Sequence, residues 1–223
     1  MQVKLVSITK SLIEEKELTP EELIVYIARV SNPSNQLNIE TSSKLIEYLI
    51  RHKHWSPFEM VDMTVEVVTS RAIAQQIIRH KSLSVQEFSQ RYSEALGIEP
   101  IQLRKKAKTN RQSSEEEIGN QDLYEKIDWL FSNSTMLYDE LIQQGVAKEC
   151  ARMVLPLCTQ TRLYLKGSVR SWIHYLQVRL HGTTQLEHRQ VAEGIYDIFS
   201  QNFPTISKHI CQPSSEYLLR LQK

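Results

Sequence analysis

A chain of 223 residues is long enough to bury a sizeable core, in one large domain or two small ones. Its 41% apolar and 24% charged residues are ordinary for a globular protein, and a net charge of +1 gives no global field toward nucleic acid or an acidic membrane. No window approaches the ~18 uncharged apolar residues of a membrane span, no signal-peptide pattern opens the chain, and three cysteines without metal-ligand spacing point to a reduced, cytoplasmic setting.

The opening "MQVKLVSIT" sets Val3 and Leu5 against Lys4 and Ser7 and reads as a strand. In "LTPEELIVYIARVSNPS" a helix starts with Thr19 as N-cap, Pro20 at the first helical position and Glu21 and Glu22 in the first turn, and Asn32-Pro33 ends it. The next helix, "TSSKLIEYLIRHKH", gathers Leu45, Ile46, Leu49 and Ile50 on one side. Period two then places Val61, Met63, Val65 and Val67 on one face of a strand, and helical period returns over "RAIAQQIIRH". Residues 104 to 120 form a polar excursion expected as a mobile surface loop. A long helix over roughly 121 to 144 stops at Gly145, an extended piece "TQTRLYL" follows, and two further helices run from Gly167 and Ser168 to near Gly182 and over "TQLEHRQVAEGIYDIFSQNF". With no internal repeat and no linker, the pattern predicts one α+β domain over residues 1 to 223, with a small sheet and several long helices.

Chemistry concentrates in "RHKSLSVQEFSQRY", residues 79 to 92. On the helix before it, Gln76, Arg79 and His80 fall at i, i+3 and i+4 and share a face, with Ile73 and Ile77 on the core side. A solvated helix end whose Arg and His complement the dipole explains those residues equally well. Ser82, Ser84, Ser89 and Gln90, interleaved with Glu87 and Arg91, make the set one that recognises phosphate: a guanidinium for bidentate contact and small donors for the remaining acceptors. Glu87 suits a ribose hydroxyl or a ring N–H, or pairs with an arginine.

Here the chain resembles the flavin-dependent thymidylate synthases, whose signature is Arg-His-Arg, seven residues, then Ser. Seven residues separate Lys81 from Ser89, Lys81 stands where that family has Arg, and "SQRY" matches its Ser-x-Arg-Tyr. "HWSPFEM", "ARMVLPL" and "RSWIHYLQVRL" are similar to three more of its segments, in the same order. The resemblance implies a homotetramer with interfacial active sites that methylates dUMP to dTMP, with methylenetetrahydrofolate as carbon donor and NADPH-reduced FAD as hydride source. It implies dUMP contacts from Gln76, Ile77, Ile78, Arg79, Glu87, Phe88, Ser89, Gln90, Arg91, Arg152 and Arg179. FAD contacts would come from Ser56, Arg79, His80, Lys81, Glu87, Ser168, Val169, Arg170 and His174. Arg179 matches the arginine credited with ionising N3 of the uracil, so that C5 becomes nucleophilic without a cysteine adding at C6. On α-helical geometry Arg170 and His174 share a face, whereas Arg179 lies ~140° past His174.

Plainer readings stand beside several of these. Ser168 sits at an N-cap, where the family generally has Asn, and Arg152 is spaced to pair with Glu149. Trp172, Tyr175 and Leu176 read as packing, Cys158 as a small buried hydrophobe, and His181, His188 and His209 as surface or satisfied histidines. His52 and His54 at i, i+2 do not converge on a metal. Two other functions are consistent with the chain: a degenerate homologue binding flavin or nucleotide without turnover, motivated by Lys81 and Ser168, and a nucleic-acid module built on "LRKKAKTNR". The flanking "EEE" and near-neutral charge oppose the second, so no nucleic acid and no membrane partner is expected.

Overall fold

The computed structural model describes residues 1–108, 110 and 113–210, with the backbone alone at residue 210. Thr109, Arg111 and Gln112 of the expected loop, and Cys211, lie outside the described residues. The architecture is mixed α+β, with a four-stranded sheet in the order β1 (Gln2–Ile8), β2 (Asp62–Ser70), β6 (Gln160–Ser168), β3 (Ser84–Glu87). Contacts divide the chain into two compact units, one of residues 1, 68–79 and 86–163, the other of residues 2–67, 80–85 and 164 onward.

The second unit contains the helices expected near both ends of the chain. Helix α1 (Pro20–Ala28) begins in a capping box: the Thr19 hydroxyl accepts from the Glu22 N–H, and the Glu22 carboxylate accepts from the Thr19 N–H at 2.8 Å. Helix α2 (Ser42–Arg51) buries Ile46 and Leu49. Strand β2 alternates as its sequence demands, with Met63, Val65 and Val67 fully buried. Helix α6 (Val169–Arg179) starts at Ser168, whose hydroxyl accepts from the Ser171 N–H at 3.3 Å. It buries Trp172, whose indole N–H donates to the Met63 carbonyl at 2.9 Å, so the ring enters the core with its polar atom satisfied. Helix α7 (Leu186–Asn202) packs on α6 and β1. Gly194 permits that approach, because a β-carbon there would come within 3.0 Å of Val3 Cγ2. Helix α8 (Pro204–Ile210) takes its cap from α1: Glu21 accepts from the Thr205 and Ile206 N–H groups.

In the first unit, helix α3 (Arg71–Ile77) buries Ile73, Ala74 and Ile77. It ends three residues before the expected stop, and Arg79 and His80 fall outside it. The shared face of Gln76, Arg79 and His80 is therefore not formed: Arg79 is exposed and His80 buried. The last helical bond runs from the Ile78 N–H to the Ala74 carbonyl, and the chain then turns, with the Leu83 N–H bonded to the His80 carbonyl, and goes on into β3. Helix α4 (Gln121–Gln143) is capped by Asn120 and stopped by Gly145 at φ +80°, as its sequence predicts. The short helix α5 (Lys148–Ala151) follows.

The segment expected as a loop instead contains a hairpin, β4 (Arg104–Lys106) antiparallel to β5 (Ser114–Glu117), with Arg104 opposite Glu117. It has no apolar face. Opposite charges across the ladder hold it, with Lys105 Nζ 3.1 Å from Glu116 and Arg104 Nε donating to the Ser114 hydroxyl at 2.8 Å. Those pairings engage part of the basic run in acidic and hydroxyl partners. No described helix is long and apolar enough to cross a membrane.

Candidate active site

Helix α6 carries one row of polar side chains outward. Arg170, His174 and Gln177, at i, i+4 and i+7, stay exposed while Trp172, Ile173, Tyr175 and Leu176 are buried. The exposed row lines a concavity of about 460 Å³ together with Trp55, Glu59 and Ser82. The "HWSPFEM" segment reaches it as a 3-10 turn over Ser56–Glu59 that places Glu59 at the start of α6. Glu59 accepts from Arg170 Nη1 at 2.9 Å and from the Ser168 hydroxyl at 2.5 Å. Two motifs more than a hundred residues apart thus meet at one helix N-terminus. Ser56 and Lys81 are exposed. Val169 is fully buried, with its N–H bonded to the Val61 carbonyl at 2.8 Å, so neither its side chain nor its N–H is free for a cofactor.

Arg179 projects from another edge of α6, the edge of Tyr175, as the helical angle requires. Its Nε donates to His80 Nε2 at 2.6 Å. Its Nη1 and Nη2 make no hydrogen bond to the described residues. His80 is 9% exposed, and burial first, then the Arg179 charge and His174, lower its pKa to about 4. It is neutral at ordinary pH, with its proton on Nδ1. Tyr175 meets it edge-on at 4.9 Å and shares a 3.2 Å hydrogen bond with His188 Nε2. Both are fully buried, and burial, then Arg179 and His80, lower the His188 pKa to about 3.

The remaining expected site residues lie in the first unit. Glu87 accepts from the Thr161 hydroxyl at 3.0 Å and lies 3.5 Å from Arg71, the arginine pairing open to it from sequence. Gln90 is 3% exposed and its amide Nε2 is buried without a hydrogen-bond partner among the described residues, as is Nε of Arg152. Such orphans are costly unless a ligand or water satisfies them. The Arg152–Glu149 pair is not formed, because Glu149 bonds Arg91 at 3.2 Å instead. Ser89, Arg79 and Arg91 are exposed, Gln76, Ile78 and Phe88 half-buried, and Ile77 is fully buried, so its side chain is core. Cys158 is buried and its thiol pKa is pushed up, chiefly by burial, which makes it a poor nucleophile.

His52 packs tilted on the Tyr48 ring and His54 meets that ring edge-on, and no group of three metal-ligating side chains occurs among the described residues. Trp55, Gln177, Tyr175 and His188 were not singled out by sequence as site residues. Trp55 and Glu59 carry a usable signal by flanking the "SPF" turn; His188 carries none.

A family model described as thymidylate synthase complementing protein matches residues 11–205. The flavin-dependent thymidylate synthase of Synechocystis sp. is 48% identical over 212 residues, covering 93% of this chain and 98% of that protein. A probable flavin-dependent thymidylate synthase of Paramecium bursaria Chlorella virus 1 is 46% identical over the same shares. Among solved structures, a UMP/dUMP methylase, PolB from Streptomyces cacaoi, bound with 5-Br dUMP, superposes with a TM-score of 0.76 at 27% identity, covering 93% of each chain. The motif spacing, the meeting of those motifs at α6 and these likenesses agree: the chain belongs to the flavin-dependent thymidylate synthase family.

Proposed function

We propose that this chain methylates dUMP to dTMP with methylenetetrahydrofolate as carbon donor, NADPH as reductant and FAD as resident cofactor, and that Arg179 is its catalytic residue. The observation that carries the reading is Arg179 itself: a guanidinium tied through Nε to His80 while Nη1 and Nη2 bond no described residue. A fixed cation of this kind, set against a uracil N3 and its neighbouring carbonyl, favours the anionic ring and makes C5 nucleophilic. Arginine suits the task because it keeps its charge at any working pH.

The residues present fit a flavin. Arg170 and Ser82 supply a cation and a hydroxyl for phosphate, and His174 and the Trp55 ring face the same space. Arg170's pairing with Glu59 is half exposed and worth ~0–1 kcal/mol, so the guanidinium can change partners at little cost. When bound, the flavin supplies the hydride chemistry; the protein supplies position and charge. Gln90 Nε2 and Arg152 Nε, buried and unpartnered among the described residues, are suited to nucleotide acceptors. Ser56, Lys81, Glu87, Ser168 and the run Gln76–Arg79 complete the proposed contacts. Lys in place of Arg at 81 and Ser in place of Asn at 168 tune cofactor affinity without removing a catalytic group.

The family model's span from 11 to 205 runs through both units, which supports one functional domain. A cytoplasmic homotetramer is part of the proposal. Its support is helix α4, which buries only Tyr138 and exposes Leu130, Leu137, Trp129 and Met136. The test is dTMP formation, or tritium release from C5-labelled dUMP, with methylenetetrahydrofolate, NADPH and FAD. A ribonucleotide reading has one observation behind it, since the Streptomyces methylase also has a structure with 5-Br UMP. Turnover of UMP in place of dUMP would select it.

A further inference from the structure

An arginine is always a donor at Nε, so a 2.6 Å contact with His80 Nε2 requires a lone pair on that nitrogen. A proton there would set donor against donor and cation against cation, and the guanidinium would swing away. The geometry of Arg179 therefore depends on whatever keeps His80 neutral and in place. On α6 the groups facing His80 are Arg179 itself, His174 at 6.4 Å between ring centroids, and Tyr175 at 4.9 Å and 70°; on α7 it is His188, at 6.4 Å and 89°. Tyr175 is fixed from two sides. Its hydroxyl bonds His188, and its ring meets the Trp172 ring edge-on at 5.8 Å.

We propose that Tyr175 and His188 are positioning residues for the reaction, holding His80 as the acceptor that locks the Arg179 guanidinium through Nε. The inference rests on the reading of Arg179 as the group that polarises the pyrimidine. Tyr175 and Arg179 lie four residues apart on one helix, so His80 is clasped between a ring wall and the cation it orients. With Nε committed, the guanidinium cannot rotate about its stem, and Nη1 and Nη2 are presented as a fixed pair. His188 anchors the wall from a second helix, which ties the position of Arg179 to the packing of α7 on α6.

The experiment uses the full-length flavin-loaded protein and the variants Tyr175→Phe, His188→Leu, His188→Gln and Arg179→Ala. Nitrogen-15 spectra read the His80 tautomer and the Arg179 Nε–H, and steady-state kinetics read kcat and the KM for dUMP across pH. Tyr175→Phe and His188→Leu should broaden the Nε–H signal and lower kcat about tenfold with the dUMP KM changed by less than about twofold. The acid limb of the kcat profile should move to higher pH, because a loosened enclosure lets His80 take a proton more readily. His188→Gln, which keeps a hydrogen-bond partner for Tyr175, should restore both. Tyr175→Phe and His188→Leu proteins that melt earlier yet keep the Nε–H signal, the kcat and the acid limb of the parent would overturn the proposal. Undiminished turnover by Arg179→Ala would instead sink the catalytic reading of Arg179, while the spectra would still decide whether the rings hold it.

Discussion

Arg179 has five N–H groups and commits one to His80, which leaves the others to a ligand. Arg179→Ala should therefore fold, remain yellow with flavin and lose dTMP formation; an absorbance spectrum beside the tritium-release assay checks both halves. His80 and His188 also set an acid limit on the fold. Each has a folded pKa below the ordinary 6.5, at about 4 and about 3, so below pH 6.5 the unfolded chain binds protons that the folded one refuses. The stability they contribute is fully present at neutral pH and is lost as the pH falls from 6.5 toward those values. Melting temperature should drop between pH 7 and pH 5, and replacing His188 with Gln should flatten that dependence. Arg179 itself was legible in the sequence as the end of a recognisable helix. Its partner was not: His80 lies 99 positions away, and its apparent place on a helix face with Gln76 dissolves because α3 stops at Ile77.

Short-range signals governed which elements could be read ahead. Thr19, Pro20 and Glu22 fix the start of α1 within a few residues of one another, and Gly145 fixes the end of α4, so both were visible in the primary structure. The β4–β5 hairpin was hidden because its pairing is between charges rather than along an apolar stripe, and hydropathy carries no trace of it. Ser168 shows how an element and a site share one atom. Its hydroxyl caps α6 by accepting from Ser171 and donates to Glu59. Ser168→Ala should lower stability by about 1 kcal/mol, measured by urea unfolding, whereas Ser168→Asn keeps a capping side chain and should stay near the parent.

At the scale of the whole molecule, the long helix α4 presents Leu130 and Leu137 at a spacing of seven, beside Trp129 and Met136 on an adjacent strip, all exposed. Leu130→Lys should shift the protein to a lower mass by size exclusion with light scattering, and activity should fall with it if the sites form between subunits. Composition could not disclose such a face, because the exposed leucines of α4 count the same as buried ones.

Beyond its first residue the chain passes between its two units at residues 67/68, 79/80, 85/86 and 163/164, and one of those passages splits the Arg79-His80 pair. A polypeptide leaving the ribosome therefore carries part of the second unit as unfinished business: β1 and α2 emerge early, but α7 and α8, which pack on them, belong to the segment beyond residue 164. Vectorial synthesis completes the first unit at residue 163 while the second still lacks everything from residue 164 onward. The early elements of the second unit stay uncovered until that last segment is made, which makes the chain a poor subject for C-terminal truncation.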